Sequence, residues 1–272
     1  MEKNKHTKVR SRNEAFVEKV NTRIWEECPD TDNPYIAETC RCHGYDIQDL
    51  MQQRSFIDVF YLLFRGELPN VEQAKLLECL MIALLNPGPR HPATRAAMNA
   101  GVGKTESVHI LPIALAIMGG EHLGAGCIEA SMRFLRKQIK TDPTVLAQQL
   151  IESSDRPEQG DWEIAPGFGS RYGSIDIVPQ KMATQLLELP ASGKCLEWGQ
   201  LFASSLSDQQ LGWHMTGLAA AVMADLGFQP RMGAGLFQLM SAPGLFAHGI
   251  ELANKPTTAM PFIKDENYVI EE

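Results

Sequence analysis

No stretch of this sequence reaches the roughly 18 consecutive apolar residues that a membrane-spanning helix needs. The richest segment, Ile110–Met118, is far too short. Clusters of Lys and Arg are also lacking, and acids outnumber bases 33 to 25 for a formal net charge of −8. That balance does not suit a protein that tracks nucleic-acid phosphates or sits on an anionic membrane surface. The opening residues, Met1–Asn13, are polar and mixed in sign, without the apolar core of a secretory signal. Cysteine is sparse, with 6 in 272 residues, at positions 28, 40, 42, 79, 127 and 195. A chain this long needs no disulfide staples, and reduced thiols in a cytoplasmic protein are expected. Cys40-Arg41-Cys42-His43 has the residue types of a zinc site, but no second ligand pair exists elsewhere. A structural zinc needs one, so no metal is expected.

What is present is the composition of an ordinary globular chain, 44% hydrophobic and 21% charged. Its dominant period is helical. Ile47, Leu50, Met51, Phe56, Val59, Phe60 and Leu63 recur at spacings of about three and four, which predicts a helix over Tyr45–Phe64. Leu68-Pro69-Asn70 interrupts it, and Val71–Leu85 reads as a second helix ending at the turn cluster Asn86-Pro87-Gly88-Pro89. Further helices are predicted over Ala93–Ala100, Ile110–Met118, Leu123–Lys140, Thr144–Ser153, Gln180–Leu189, Leu218–Leu226 and Met232–Leu252. Alternating segments are almost absent and no repeat occurs, so the fold class is all-α. Between Asp155 and Pro179 lies a glycine- and aromatic-rich stretch, and loops of that length in a helical domain are usually functional.

Gly101-Val-Gly-Lys104-Thr105 has the look of a phosphate loop. Met98 stands where such a loop needs its first glycine, and a helix rather than a strand precedes it. The more informative motif is Met118-Gly-Gly-Glu-His122-Leu-Gly-Ala-Gly126, a histidine flanked by glycines at the start of a predicted helix. There the helix dipole disfavours imidazolium, and a neutral ring can donate to a carbonyl oxygen becoming an enolate. Equally, His122 could cap its own helix.

Longer stretches carry a resemblance. Gly44-Tyr45-Asp46, Ser55-Phe56 and Tyr61-Leu62-Leu63-Phe64-Arg65-Gly66-Glu67-Leu68-Pro69 are similar to the N-terminal signature of the citrate synthase superfamily. Gly119–Gly126 looks like that family's glycine-flanked catalytic histidine. Pro166-Gly-Phe-Gly169-Ser-Arg171 resembles its coenzyme A loop, which in the family also holds a second active-site histidine. Ala224–Phe228, Gly244–His248 with Glu251, and Met260–Ile263 resemble the C-terminal part. The likeness runs in order from Tyr45 to Tyr268 and is nearest to short citryl-CoA lyase-like members. It implies a citrate synthase-like helical fold with large and small subdomains. The corresponding divisions are an N-terminal extension, 1–40, large-domain helices, 41–155, a small domain with the coenzyme A loop, 156–215, and C-terminal large-domain helices and tail, 216–272. It also implies a homodimer, a coenzyme A thioester as substrate with no tightly bound cofactor, and a small organic acid or carbonyl compound as its partner.

The same resemblance locates what has been replaced. Only His122 stands at a matching catalytic position. Ser170 stands where the family has histidine, Thr216 where it has aspartate, and Asn86-Pro87-Gly88 where it has Asp-His-Gly. Asp176 matches an Asp-Pro-Arg whose arginine falls near Val178, and a further arginine position falls on Ser241. Di- and tricarboxylates are held by arginine and histidine because unpaired carboxylates are costly to desolvate. Nor is Thr216 or Ser170 a base able to take the α-proton of a thioester. Two readings follow. In the first, Pro166, Gly167, Phe168, Gly169 and Arg171 hold coenzyme A and His122 is the hydrogen-bond donor. Ser170, Thr216, Asp176 and His214 then supply base, anion or oxygen contacts for a substrate other than oxaloacetate or citrate. In the second, the chain is a non-catalytic coenzyme A-binding or partner subunit, His214 and Arg171 are polar surface, and Asp176 caps a helix near Ile177. The readings differ in whether Gly167–Arg171 and His122 converge on one closed pocket with a base in reach.

Overall fold

The computed structural model describes residue 13 and residues 15–271, so the polar opening segment lies almost wholly outside the described residues. The chain divides into two units, residues 1–68 and 69–272. In the first, β1 (Trp25–Pro29), β2 (Ala37–Cys42) and β3 (Tyr45–Asp46) form an antiparallel sheet in that order. His43 and Gly44 both have positive φ, 48° and 87°, which makes the tight turn between β2 and β3. The helix predicted over Tyr45–Phe64 is instead β3 followed by two helices, α1 (Ile47–Gln53) and α2 (Phe56–Arg65). The break is local chemistry. Ser55 accepts from the Asp58 N–H while the Asp58 carboxylate accepts from the Ser55 N–H, a capping box that starts a new helix.

The second unit holds α3 (Val71–Leu84), α4 (Pro92–Val102), α5 (Ser107–Met118), α6 (Ile128–Gln138) and α7 (Pro143–Ser153). It continues with α8 (Ile177–Leu187), α9 (Lys194–Leu206), α10 (Met215–Asp225) and the 24-residue α11 (Pro230–Ala253). The all-α class stands. The two three-stranded sheets escaped the period-2 test because their strands are only two to six residues long. The second sheet orders β4 (Glu163–Ala165), β5 (Phe168–Gly169) and β6 (Gly212–Trp213).

The core of this unit is α10, buried continuously from Thr216 to Met223. A helix apolar on every side has to be surrounded, and α6, α9 and α3 pack around it. Along α11, close approach depends on glycine. A Cβ on Gly101 of α4 would lie 2.0 Å from the Gly249 carbonyl oxygen of α11. Lys104, from the rejected phosphate-loop motif, sends its Nζ to the carbonyl oxygens of Ala253 and Lys255, at 2.8 and 2.5 Å, and so closes the end of α11.

The sequence reading missed α9, and its start explains why. Gly193, before its first turn, has no side chain to cap with. The cap is Asp225 at the end of α10, whose carboxylate accepts from the N–H groups of Gly193, Cys195 and Leu196 at 3.2, 2.8 and 2.9 Å. Burial holds Asp225 above the usual carboxylate range and, with Asp225 beside it, pushes the Cys195 thiol up to about 12. Asp225→Ala leaves three N–H groups unpaired and is expected to cost about 2 kcal/mol. A lowered urea midpoint with an unchanged slope would show it.

Candidate active site

A cleft of about 240 Å³ opens in the second unit where five elements meet. From the turn after α3 come Asn86 and Pro87, held because the Gly244 N–H donates to the Leu85 carbonyl at 2.9 Å. That donor is free of the helix ladder where Pro243 interrupts α11. α11 itself adds Phe237 and Ser241, α8 adds Val178, Pro179 and Met182, and the first turn of α10 adds Met215 and Thr216. The Ser241 Oγ is buried without a hydrogen-bond partner.

His91, which the sequence reading passed over, lies on the wall of this cleft and caps α4. Its Nδ1 accepts from the Ala93 N–H at 3.1 Å, so the proton resides on Nε2, which donates to the Leu123 carbonyl at 3.2 Å. Leu123 supplies that carbonyl from a left-handed conformation, φ 57°. Burial, with Arg171 and His122 nearby, keeps the His91 pKa below the ordinary imidazole value. The neutral ring at a helix N-terminus expected of His122 is thus His91. The one available signal was His91-Pro92, because proline favours the first helical position.

The charge of the cleft is self-contained. Among the described residues lining it, Arg171 is the one permanent cation, and its guanidinium lies 3.3 Å from the Asp176 carboxylate. Asp176 also caps α8, accepting from the Val178 N–H. Arg171, Asp176 and Thr216 therefore meet here, along with Asn86, Pro87, Val178 and Ser241.

His122 does not line this cleft. It is exposed, in a turn separated from α6 by a short 3-10 turn at Ala125–Cys127, so it neither opens nor caps that helix. It lines an adjoining cavity of about 160 Å³ with His214, Asp161, Glu163, Cys127 and Thr216. Thr216 and Leu123 face both spaces. His214 is buried, not polar surface, and its Nδ1 has no partner. Burial, with Arg171 and His122 adding to it, lowers its pKa against the opposing pull of Asp161 and Asp176. It is a neutral imidazole near pH 7.

The stretch read as the coenzyme A loop is largely turned inward. Phe168 packs edge-on or tilted against Phe134, Phe202 and Trp213. The Ser170 Oγ accepts from the Trp162 N–H at 3.0 Å, so this hydroxyl is already engaged. Gly169 is pressed against the Trp162 carbonyl and the His214 ring, and Gly167 against Gly217. Pro166 faces a shallow hollow beside His122, and Arg171 faces the cleft. Gly167–Arg171 and His122 therefore do not close on one pocket. Among the described residues no group of three or more His, Cys, Asp or Glu is placed to hold a metal. No helix among them is long and apolar enough to cross a membrane.

Residues 22–170, over half of the chain, match the model of the citrate synthase C-terminal domain, and the chain belongs to that family. Its fold is that of the citryl-CoA lyase from Hydrogenobacter thermophilus, at TM-score 0.74 and 22% identity over 93% of this chain and 94% of that one. It is also similar to Methanosaeta concilii ATP citrate lyase solved with (3S)-citryl-CoA, at TM-score 0.68 and 16% identity, over 93% of this chain and 43% of that one. A third likeness is Thermoplasma acidophilum citrate synthase, solved with carboxymethyl coenzyme A and oxaloacetate. There the TM-score is 0.58 and the identity 19%, over 80% of this chain and 57% of that one. No curated protein matches the sequence.

The lowered pKa values of His91 and His214 set a sign for pH dependence. The unfolded chain binds these protons more tightly, so the stability due to the neutral rings is complete above pH about 6.5 and is lost as pH falls. His91→Asn, which keeps a capping side chain, is expected to show a smaller drop in Tm than the parent between about pH 7.5 and about pH 5.5.

Proposed function

We propose that the protein makes or breaks a carbon–carbon bond on an acyl-CoA thioester through an enolate, with a partner compound other than oxaloacetate or citrate. Family membership supports the thioester chemistry. The observation that carries the choice of partner is the Arg171–Asp176 pair at 3.3 Å. The one permanent cation lining the cleft is already matched, and Asn86, Pro87, Val178 and Ser241 offer no charge to a tricarboxylate. In this proposal neutral His214 takes the α-proton of the thioester, His122 donates to the enolate oxygen, and the Thr216 hydroxyl faces both reactants. Pro166 and Arg171 contact the coenzyme. A homodimer is part of the reading, supported by the exposed apolar residues Val108, Ile113 and Ile117 of α5 and Leu239 and Phe246 of α11.

The inward-turned Phe168, Gly169 and Ser170 favour a second reading, a subunit that binds coenzyme A or a protein partner without chemistry. One experiment separates the two. Deuterium wash-out from the α-carbon of a panel of acyl-CoAs is expected for the parent protein, and His214→Ala is expected to slow it by about 10²-fold or more. Exchange that proceeds unaltered in His214→Ala removes the assigned base. Coenzyme A binding with no exchange establishes the second reading. Oxaloacetate is expected to give no condensation with acetyl-CoA, and measurable citrate formation would overturn the assignment of the partner.

A further inference from the structure

The cleft holds a buried hydroxyl that nothing in the chain uses. Ser241 is 1% exposed, lines the cleft from α11, and has no hydrogen-bond partner for its Oγ. In a helix such a hydroxyl ordinarily turns back to the carbonyl four residues earlier. Here it does not, and an unpaired buried polar atom is unfavourable until something supplies a partner. Phe237, Leu84, Met118 and Met182 supply apolar surface to the same space. Of the other polar groups, the Asn86 Oδ1 accepts from the Gly88 N–H, Arg171 is paired with Asp176 and both His91 nitrogens are hydrogen-bonded. The Asn86 amide NH2 and the Thr216 hydroxyl also belong to residues lining the cleft.

The cleft also continues. Ala83 and Met182 line it and also line a groove of about 330 Å³ between α3 and α8. Cys79, Ile82 and Ala83 stand at helical spacing on α3 and line the groove with Met182, Gln185 and Leu186 of α8 and with Leu189 just beyond its end. Ile82 is 65% exposed at the open side of this groove, while Leu186 at its floor is buried. From Ala83 to Cys79 the track extends about 6 Å along the helix axis. Methionine at the junction suits it to flexible chains.

We infer that the cleft takes an uncharged aliphatic carbonyl compound, with its oxygen on the Ser241 hydroxyl and its alkyl chain passing Met182 into the groove between α3 and α8. The inference rests on the proposed function for the identity of the site and names the class of its second substrate. The continuity of cleft and groove indicates the chain, the orphan hydroxyl indicates a single oxygen, and the internally paired Arg171 indicates a head group without charge.

Calorimetric titration of the full-length protein with 2-alkanones, from 2-butanone to 2-nonanone, tests this without any thioester. Affinity is expected to rise about threefold to fourfold with each added methylene until the groove is filled. Ser241→Ala is expected to weaken every ketone about fivefold. Met182→Trp, which fills the junction, is expected to flatten the dependence on chain length. Met182→Gln, closer in size and easier for the fold to accept, is expected to reduce it. Affinity that does not change with chain length, or that is insensitive to both Met182 variants, overturns the inference. So does a 2-oxo acid that binds more than about tenfold tighter than the ketone of equal length, because an anion is then the preferred head group. Ketone binding that follows chain length, with no α-proton exchange on any acyl-CoA, upholds this assignment and removes the enolate chemistry. Exchange without chain-length dependence does the reverse.

Discussion

Gly167 and Gly217 meet backbone to backbone. A Cβ on either one would come within 2.5 Å of the other, and the Gly167 carbonyl accepts from the His214 N–H at 2.9 Å. This contact locks β5 onto the first turn of α10, and the site follows from it. On one side it sets His214 and Thr216 at the mouth of the buried helix. On the other it fixes where the chain leaves β5, so that Arg171 reaches the Asp176 that caps α8. Gly167 can take part because its φ of 87° is open to glycine at little cost. The same closeness excludes the Gly-Phe-Gly backbone from solvent. Of the stretch that reads as a ligand loop, Pro166 and Arg171 face open spaces while the residues between them are packed.

Electrostatically the cleft is self-contained, while the adjoining cavity is lined by the carboxylates of Glu121, Asp161 and Glu163. His91 is held uncharged by burial and by a proton placement that both of its ring partners enforce. His214 is uncharged for the same first reason, and Arg171 is matched by Asp176. The fold is shared with the citryl-CoA lyase of Hydrogenobacter thermophilus, but what a site does is set by a few side chains on such a common scaffold.

Much of this was legible in the sequence wherever a signal acts within a few residues. Most helices are where apolar spacing placed them, and Asp176 caps α8 beside Ile177. The break at Arg54-Ser55 was also present as a local signature, Ser55-x-x-Asp58, but the apolar stripe on either side masked it. α9 was not legible, because its cap comes from Asp225, about thirty residues later. His122 misled for a related reason. Its glycine neighbours read as the start of a helix, but with Leu123 left-handed and a 3-10 turn following, α6 begins only at Ile128.

The sequence by itself determined the helical class and the family likeness, because period, caps and motif order are properties of neighbours along the chain. Only the tertiary structure decided that Asn86, Asp176, Thr216 and Ser241, spread over more than 150 positions, share one cleft. It also decided that His122 faces a different cavity, that Ser170 turns inward, and that His91 and His214 are neutral. Burial and electrostatic environment depend on which distant elements close around a side chain, and no local pattern carries that information.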